Sequence, residues 1–131
     1  MVVGLGIAIV DLADLRARLN EASARRLFLP GEIGYADTQA RPWESLGTRL
    51  AAKQAVLRGL CVDVETRPPW LEVEVGRSEA GEPSVRMSGG TLELADRLGV
   101  TRCRVSMSHT RRTALAVAAL EDGTAASDLG S

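Results

Sequence analysis

Three short segments of this chain of 131 residues contain residue types that could bind phosphate or move a proton. The first is an apolar strand around Gly4 and Gly6, the second is the helical stretch 49–55, and the third is the turn 106–110. Lys53 is the only lysine and His109 is the only histidine of the chain. Imidazole ordinarily titrates near neutral pH, so His109 is a candidate general acid or base.

Each segment also has an ordinary structural explanation. Two glycines in a strand usually mark a bulge or a close approach of the backbone. A lone lysine on a helix usually lies on its solvated face, and a lone histidine in a turn is usually only a turn residue. The segments therefore indicate a functional site only when they are taken together.

Hydrophobic periodicity predicts the elements that must position these segments. The strongest pattern is a long helix over residues 43–60, which carries the second segment. The other predicted elements are a buried strand at 2–10, Asp11 as a helix cap, a helix at 12–27, a loop with one helical turn at 29–42, strands at 70–75 and 83–87, a helix from Thr91 to Leu98, a strand at 102–108, and a strand at 113–120 covered on both faces. This order predicts an α+β domain with mainly antiparallel pairing over residues 1–121, followed by a flexible tail at 122–131.

The composition excludes several classes of function. The chain has 16 basic and 17 acidic residues, and only 3% of its residues are aromatic. Nothing in this balance favours a nucleic acid or a membrane surface as a partner. Cys61 and Cys103 form no metal or disulfide motif, so we predict reduced, buried thiols. The start of the chain lacks the basic region of a signal peptide, and we predict a cytoplasmic protein. The preference for arginine and alanine suggests a bacterial source with a GC-rich genome.

Four motifs of the chain resemble the holo-acyl-carrier-protein synthase family, the small trimeric phosphopantetheinyl transferases. They are the first strand at Gly6–Val10, the helix segment Arg49–Ala55, the hairpin turn Gly81–Pro83 and the late turn Ser106–Thr110. The motifs have the family's order and spacing, and the resemblance covers residues 2–121. It implies the phosphopantetheinyl transferase fold, an antiparallel sheet with a long helix, and a homotrimer with sites between neighbouring subunits.

The resemblance also implies a reaction, in which the phosphopantetheine arm of coenzyme A moves to a serine of an acyl carrier protein. The family holds a Mg²⁺ ion with an aspartate of the first strand and a glutamate of the long helix. Ala8 and Gln54 occupy these two positions here. Mg²⁺ prefers anionic oxygen ligands, so we expect no metal site, and no metal or other cofactor as a requirement. The resemblance implies that the rest of the pocket is retained, with Arg58 in the place of a second lysine that meets phosphate. The expected ligand is coenzyme A or phosphopantetheine, and the residues expected to bind it are Arg49, Lys53, Arg58, Ser108, His109 and Thr110.

These observations leave three hypotheses for the function. The first is acid–base chemistry on an acyl group tethered to carrier protein or coenzyme A, in biosynthesis of the polyketide type and without transfer of the arm. In that reaction (dehydration, isomerisation, cyclisation or hydrolysis) His109 is the acid or base, and Lys53, Arg49 or Gln54 polarises the thioester carbonyl. The second is an accessory protein that binds carrier protein without catalysis, and the third is an active phosphopantetheinyl transferase. The sequence favours the first.

The first predicted helix bears on the partner. Four arginines, and Glu21 as the only acidic residue among them, lie between positions 16 and 26. In the family this helix docks the acidic helix of the carrier protein, which a basic face suits. Arg16, Arg18, Arg25 and Arg26 are therefore the predicted carrier-protein contacts, although a solvated helix face would show the same pattern.

Overall fold

The computed structural model describes residues 1–123 and 126–130. Its strands are β1 (Val2–Asp11), β2 (Val73–Arg77), β3 (Pro83–Met87), β4 (Val100–His109) and β5 (Thr113–Asp122). Its α-helices are α1 (Leu12–Arg18), α2 (Glu21–Leu27), α3 (Pro30–Asp37), α4 (Pro42–Gly59) and α5 (Gly89–Arg97), and a one-turn 3₁₀ helix spans Trp70–Glu72. The predicted α+β class with antiparallel pairing is confirmed.

The strands form two antiparallel sheets, one with the order β1-β5-β4 and one containing β2 and β3. Helix α4 lies across the inner face of the three-stranded sheet, where Ala8, Ala116, Ala118 and Leu120 are fully buried. Gly6 allows this contact, because a Cβ atom there would overlap the carbonyl oxygen of Ala55. The helix can therefore lie directly on the β1 backbone, which fixes the distance between α4 and the sheet.

The prediction of one continuous helix at 12–27 is wrong, because the chain forms two separate helices there, α1 and α2. Asn20 has extended backbone angles and begins α2 with a capping box. Its Oδ1 accepts a hydrogen bond from the Ser23 N–H at 2.9 Å, and the Ser23 hydroxyl accepts one from the Asn20 N–H at 2.9 Å. This reciprocal pair satisfies backbone groups at the start of α2 and so favours a new helix over continuation of α1. Asp11 caps α1 as predicted and accepts from the Asp14 N–H at 3.0 Å.

The loop with one helical turn predicted at 29–42 instead contains an eight-residue helix, Pro30–Asp37. Proline stands at its first turn, and Glu32 accepts a hydrogen bond from the Leu29 N–H at 2.8 Å. The predicted strand at 70–75 is also partly wrong, since its first three residues form the 3₁₀ helix and β2 begins at Val73.

Helix α5 begins at Gly89 instead of the predicted Thr91, and a remote carboxylate caps it. Glu72 accepts hydrogen bonds from the Thr91 hydroxyl at 2.8 Å and from the Thr91 and Gly90 N–H groups at 3.0 and 3.2 Å. The hydrogen bond from the Thr91 hydroxyl is the largest cause of a lowered pKa of Glu72, and the two N–H groups act in the same direction. The contact joins α5 to the start of β2.

The outer face of the three-stranded sheet is apolar and open in the single chain. Val3, Leu5, Ile7, Ile9 and Leu115 are between 40% and 66% exposed. The prediction that residues 113–120 are covered on both faces is therefore wrong for the single chain, because only the inner face of β5 packs on α4.

The division into a domain at 1–121 and a flexible tail at 122–131 stays a prediction, and its positions 124, 125 and 131 lie outside the described residues. Leu129 is buried, and its carbonyl accepts a hydrogen bond from the Met87 N–H at 2.7 Å. Cys61 is exposed at the end of α4, contrary to the predicted burial, whereas Cys103 is half-buried and burial raises its pKa to about 12. No helix in the described part of the chain is long and apolar enough to span a membrane.

Candidate functional site

An arginine-lined cavity of about 350 Å³ lies where the start of α4, the end of β4 and the β2–β3 hairpin meet. Arg49 and His109, both predicted site residues, line it together with Arg41, Glu44 and Arg77. A larger cavity of about 460 Å³ lies between β3 and β4, but it contains none of the predicted site residues. We therefore take the arginine-lined cavity as the candidate site.

Arg49 is held rigidly at the back of this cavity and is only 6% exposed. Its Nε donates to the Val75 carbonyl at 3.2 Å, its Nη1 donates to the Ser45 hydroxyl at 2.8 Å, and its guanidinium lies 4.4 Å from the centre of the Tyr35 ring. Burial lowers the pKa of Arg49, and the neighbouring charge of Arg77 acts in the same direction. A bound anion would relieve this crowding of positive charge, so the cavity suits a phosphate.

His109 and Glu44 lie close together at the mouth of the site. The Nδ1 atom of His109 is 3.1 Å from the Thr110 carbonyl oxygen and 3.7 Å from Glu44 Oε1. A carbonyl can only accept, so Nδ1 carries the proton in the first contact. Glu44 Oε2 is 3.8 Å from Arg41 Nε, beyond hydrogen-bond distance. Among the described residues, this oxygen is buried without a hydrogen-bond partner.

Lys53 lies outside this cavity and is completely buried. Its ammonium is 2.7 Å from Glu32 Oε1 and donates to the carbonyls of Leu27 and Trp70 at 2.9 Å each. These three partners use all three of its N–H donors. Burial lowers the pKa of Lys53, and the Glu32 carboxylate opposes this effect. The predicted catalytic and ligand-binding roles of Lys53 stay predictions, and in the single chain it joins elements of the fold.

Gln54 lines a different cavity, of about 320 Å³, with Asp11, Asp14 and Arg18. Ala8 is fully buried on the inner face of β1. Arg58 is exposed near the other end of α4, and its Nη1 donates to the Ile7 carbonyl at 2.9 Å. Ser108 is exposed on β4, and Thr110 closes the β4–β5 turn by accepting from the N–H groups of Arg112 and Thr113.

Of the predicted ligand-binding residues, the single chain therefore brings only Arg49 and His109 into one cavity. Sequence reasoning missed Arg41, Glu44 and Arg77, because nothing local in the sequence indicates that these positions converge. It also missed Glu32, although proline at position 30 followed by an acidic residue is typical of a helix start and could have revealed α3.

The predicted carrier-protein contacts lie on α1 and α2. Arg18 and Arg25 are exposed and form ion pairs with Asp14 and Glu21, one helical turn away. Arg16 stacks over the Trp43 ring at 3.8 Å from its centre. Arg26 is exposed, and no ion pair is found for it among the described residues. The basic charge of this face is therefore partly neutralised within the chain.

Two relatives of similar sequence carry the same name. A holo-acyl-carrier-protein synthase of Koribacter versatilis is 33% identical over 125 residues, which are 93% of this chain and 100% of the relative. The enzyme of the same name from Geobacter sulfurreducens is 35% identical over 124 residues, covering 92% of this chain and 98% of the relative. The chain belongs to the holo-acyl-carrier-protein synthase family. No protein-family model matches it.

Solved structures of holo-acyl-carrier-protein synthases have the same fold. The Neisseria meningitidis protein aligns with a TM-score of 0.81 at 25% identity, covering 93% of this chain and 100% of that one. A Bacillus anthracis protein in complex with CoA (3',5'-ADP) aligns with a TM-score of 0.77 at 25% identity, covering 94% and 99%. The predicted family and fold are confirmed.

These comparisons overturn the function that the sequence was taken to favour. Relatives that are 33–35% identical over nearly the whole chain are named for the synthesis of holo-acyl-carrier protein. The expectation of acid–base chemistry on acyl groups, with loss of arm transfer, is therefore wrong. It gave too much weight to two substituted positions, when most of the chain retains similarity to transferases.

The residues at the family's metal positions do not fit a Mg²⁺ ion. The Ala8 methyl group supplies no ligand, and the Gln54 amide supplies only a neutral oxygen. No cluster of three or more His, Cys, Asp or Glu side chains that could hold a metal ion is found in the described part of the chain.

We predict that Lys53→Met lowers the free energy of unfolding by roughly 3–5 kcal/mol, because it leaves the Glu32 carboxylate buried and uncompensated. Urea unfolding measures this loss. The double variant Lys53→Met with Glu32→Leu should recover part of it, since it removes both charges. Arg58→Met, a change of an exposed cation on the same helix, is the control and should cost less than about 1 kcal/mol. Equal losses for Lys53→Met and Arg58→Met would contradict the structural role of the ion pair.

Proposed function

We propose that this chain transfers the phosphopantetheine arm of coenzyme A to a serine of an acyl carrier protein. The observation that carries the proposal is the cavity in which Arg41, Arg49 and Arg77 lie beside His109. Its charge suits a phosphorylated ligand, and the name of the relatives supplies the reaction.

The reaction is a phosphoryl transfer. The serine oxygen of the carrier protein attacks the phosphorus that bears the pantetheine group and forms a new P–O bond. The P–O bond to adenosine 3',5'-bisphosphate breaks, and that group leaves with the bonding electrons. Such reactions depend mainly on positioning and on neutralisation of charge. The guanidinium groups of the cavity are suited to neutralising charge, and His109 is suited to accepting the serine proton.

We propose that the chain works as a homotrimer. The apolar outer face of β1 and β5 gives the reason, because a contiguous exposed face of this kind marks an interaction surface. Sites shared between neighbours would also explain why Arg58, Ser108 and Thr110 lie apart from Arg49 in the single chain. Their roles in ligand binding belong to this proposal.

We propose that the carrier protein docks on α1 and α2 through Arg16, Arg18, Arg25 and Arg26. All four arginines lie on these two adjacent helices, and the ion pairs of Arg18 and Arg25 are solvent-exposed. Exposed ion pairs of this type are weak, so an acidic partner can compete for the arginines. Cytoplasmic localisation and a role in polyketide-type biosynthesis stay predictions.

The transfer is tested by mixing the protein with apo-carrier protein and coenzyme A, with and without Mg²⁺. Intact mass spectrometry should show that the carrier gains one phosphopantetheine group. A carrier protein that binds but gains no mass would instead support the non-catalytic accessory function.

The contribution of the cavity to ligand binding is tested by steady-state kinetics with varied coenzyme A. Arg77→Gln should raise the KM for coenzyme A about tenfold by removing one charge-assisted contact, whereas Arg86→Gln on β3 should leave it unchanged.

The assembly is tested by light scattering on the chromatographed protein. We expect the mass of three chains for the unmodified protein and a smaller species for Ile7→Glu, because the glutamate places a charge in the apolar outer face. Leu71→Glu, at an exposed apolar residue beside α2 and α3, should keep the larger mass. A single-chain mass for the unmodified protein would refute the trimer.

The docking surface is tested by steady-state kinetics with varied carrier protein. Arg25→Glu combined with Arg26→Glu should raise the KM for the carrier about tenfold or more, because like charges then face each other. The KM for coenzyme A should not change. Arg97→Glu on α5 is the control at an exposed arginine outside this surface, and an equal effect of both changes would argue against docking on α2.

A further inference from the structure

The arginine-lined cavity contains one group that phosphate binding leaves unexplained, the carboxylate of Glu44. The residue is 8% exposed, and its Oε2 atom is buried without a hydrogen-bond partner in the described part of the chain. Buried polar atoms in folded proteins nearly always have a partner, so an exception at a binding site needs an explanation. An anionic oxygen would also repel the phosphate that the arginines attract.

The surroundings show that no neighbour already satisfies this oxygen. Arg41 Nε is 3.8 Å from Oε2, too far for a hydrogen bond. The nearby His109 Nδ1 is 3.7 Å from the other oxygen, Oε1, and is already 3.1 Å from the Thr110 carbonyl oxygen. Arg49 directs two of its N–H groups to Val75 and Ser45. Glu44 therefore lines the cavity and carries one strong acceptor, Oε2, for which no donor is found among the described residues.

A ligand that fits this cavity must combine two features: an anionic group for the arginines and, a short distance away, an uncharged N–H or O–H donor for Glu44. The nucleotide end of coenzyme A has both, since adenosine 3',5'-bisphosphate carries phosphates, a ribose hydroxyl and an exocyclic amino group. We propose that Glu44 is a specificity-determining residue that accepts a hydrogen bond from such a donor of the nucleotide. This inference rests on the proposed function and adds a recognition step to it.

The proposal explains why a carboxylate stands among three arginines. The arginines accept any small polyanion, including inorganic phosphate or sulfate, whereas the buried carboxylate repels anions that bring no donor. Sites built around a buried hydrogen-bonding group reject analogues that lack the matching group much more strongly than apolar pockets do. Glu44 therefore improves selection of the nucleotide over other phosphates.

Calorimetric titration of the full-length protein with three ligands tests the proposal. The ligands are the 3',5'-bisphosphates of adenosine, of purine riboside, which lacks the amino group, and of 2'-deoxyadenosine, which lacks the hydroxyl. We expect one of the two analogues to bind at least about tenfold more weakly than the adenosine compound, which identifies the donor. If both analogues bind as tightly as the adenosine compound, the proposal is overturned.

A variant shows whether Glu44 causes the discrimination. In Glu44→Ala the penalty for the weaker analogue should disappear, so that it and the adenosine compound bind with equal affinity. Glu44→Gln keeps an acceptor oxygen in the same shape, should keep part of the penalty, and serves as the second variant if Glu44→Ala does not fold. An unchanged penalty in both variants would overturn the assignment.

The transfer assay separates this result from the proposed function. If arm transfer occurs and the adenosine compound binds, but the analogues are not discriminated through Glu44, only the present inference fails. If neither arm transfer nor binding of the adenosine compound is detected, the proposed function fails together with it.

Discussion

The buried ion pair of Lys53 and Glu32 is the interaction on which the rest of the structure depends. Lys53 lies in the middle of α4, and its three N–H groups reach the end of α2, the first residue of the 3₁₀ helix and Glu32 on α3. Glu32 in turn accepts from the Leu29 and Val75 N–H groups at 2.8 and 2.9 Å. One charge pair therefore fixes four separate pieces of chain against the long helix. Such a pair is stable only when every donor and acceptor is satisfied, as it is here.

The candidate site is built directly on this network. Val75 donates its N–H to Glu32 and accepts at its carbonyl from Arg49, one helical turn before Lys53. Glu32 and Arg49 thus satisfy the N–H and carbonyl groups of Val75 and hold β2 beside α4. As a result, Arg49 faces the cavity with its position fixed on one side by β2 and on the other by Tyr35. Preorganisation of this kind is what phosphoryl transfer needs, because positioning contributes much of the catalysis.

The chain separates two features that occur together in its family. The arginine-lined cavity, the fold and the overall similarity agree with relatives named as holo-acyl-carrier-protein synthases. The two positions that hold the family's metal ion instead carry a buried methyl group and a neutral amide. The candidate cavity itself presents guanidinium groups and contains neither family metal position. Arg41, Arg49 and Arg77 come from different parts of the chain, and only the packing of the hairpin against α4 places them together.

The sequence alone determined the family, the antiparallel α+β class, the position of α4, and the substitutions at Ala8 and Gln54, because motif spacing and hydrophobic periodicity are local properties. It also identified Arg49 and His109, which share one cavity. It could not show that α1 and α2 are separate helices at Asn20, or that Lys53 is buried, because an isolated lysine in a helix reads as exposed until its partner is known. That partner, Glu32, is 21 positions away on α3, in a segment where the sequence predicts only one helical turn. Only the tertiary structure decided that Glu32 and Glu44 are buried and which of their oxygens have partners, since burial and the satisfaction of hydrogen bonds depend on contacts between distant segments.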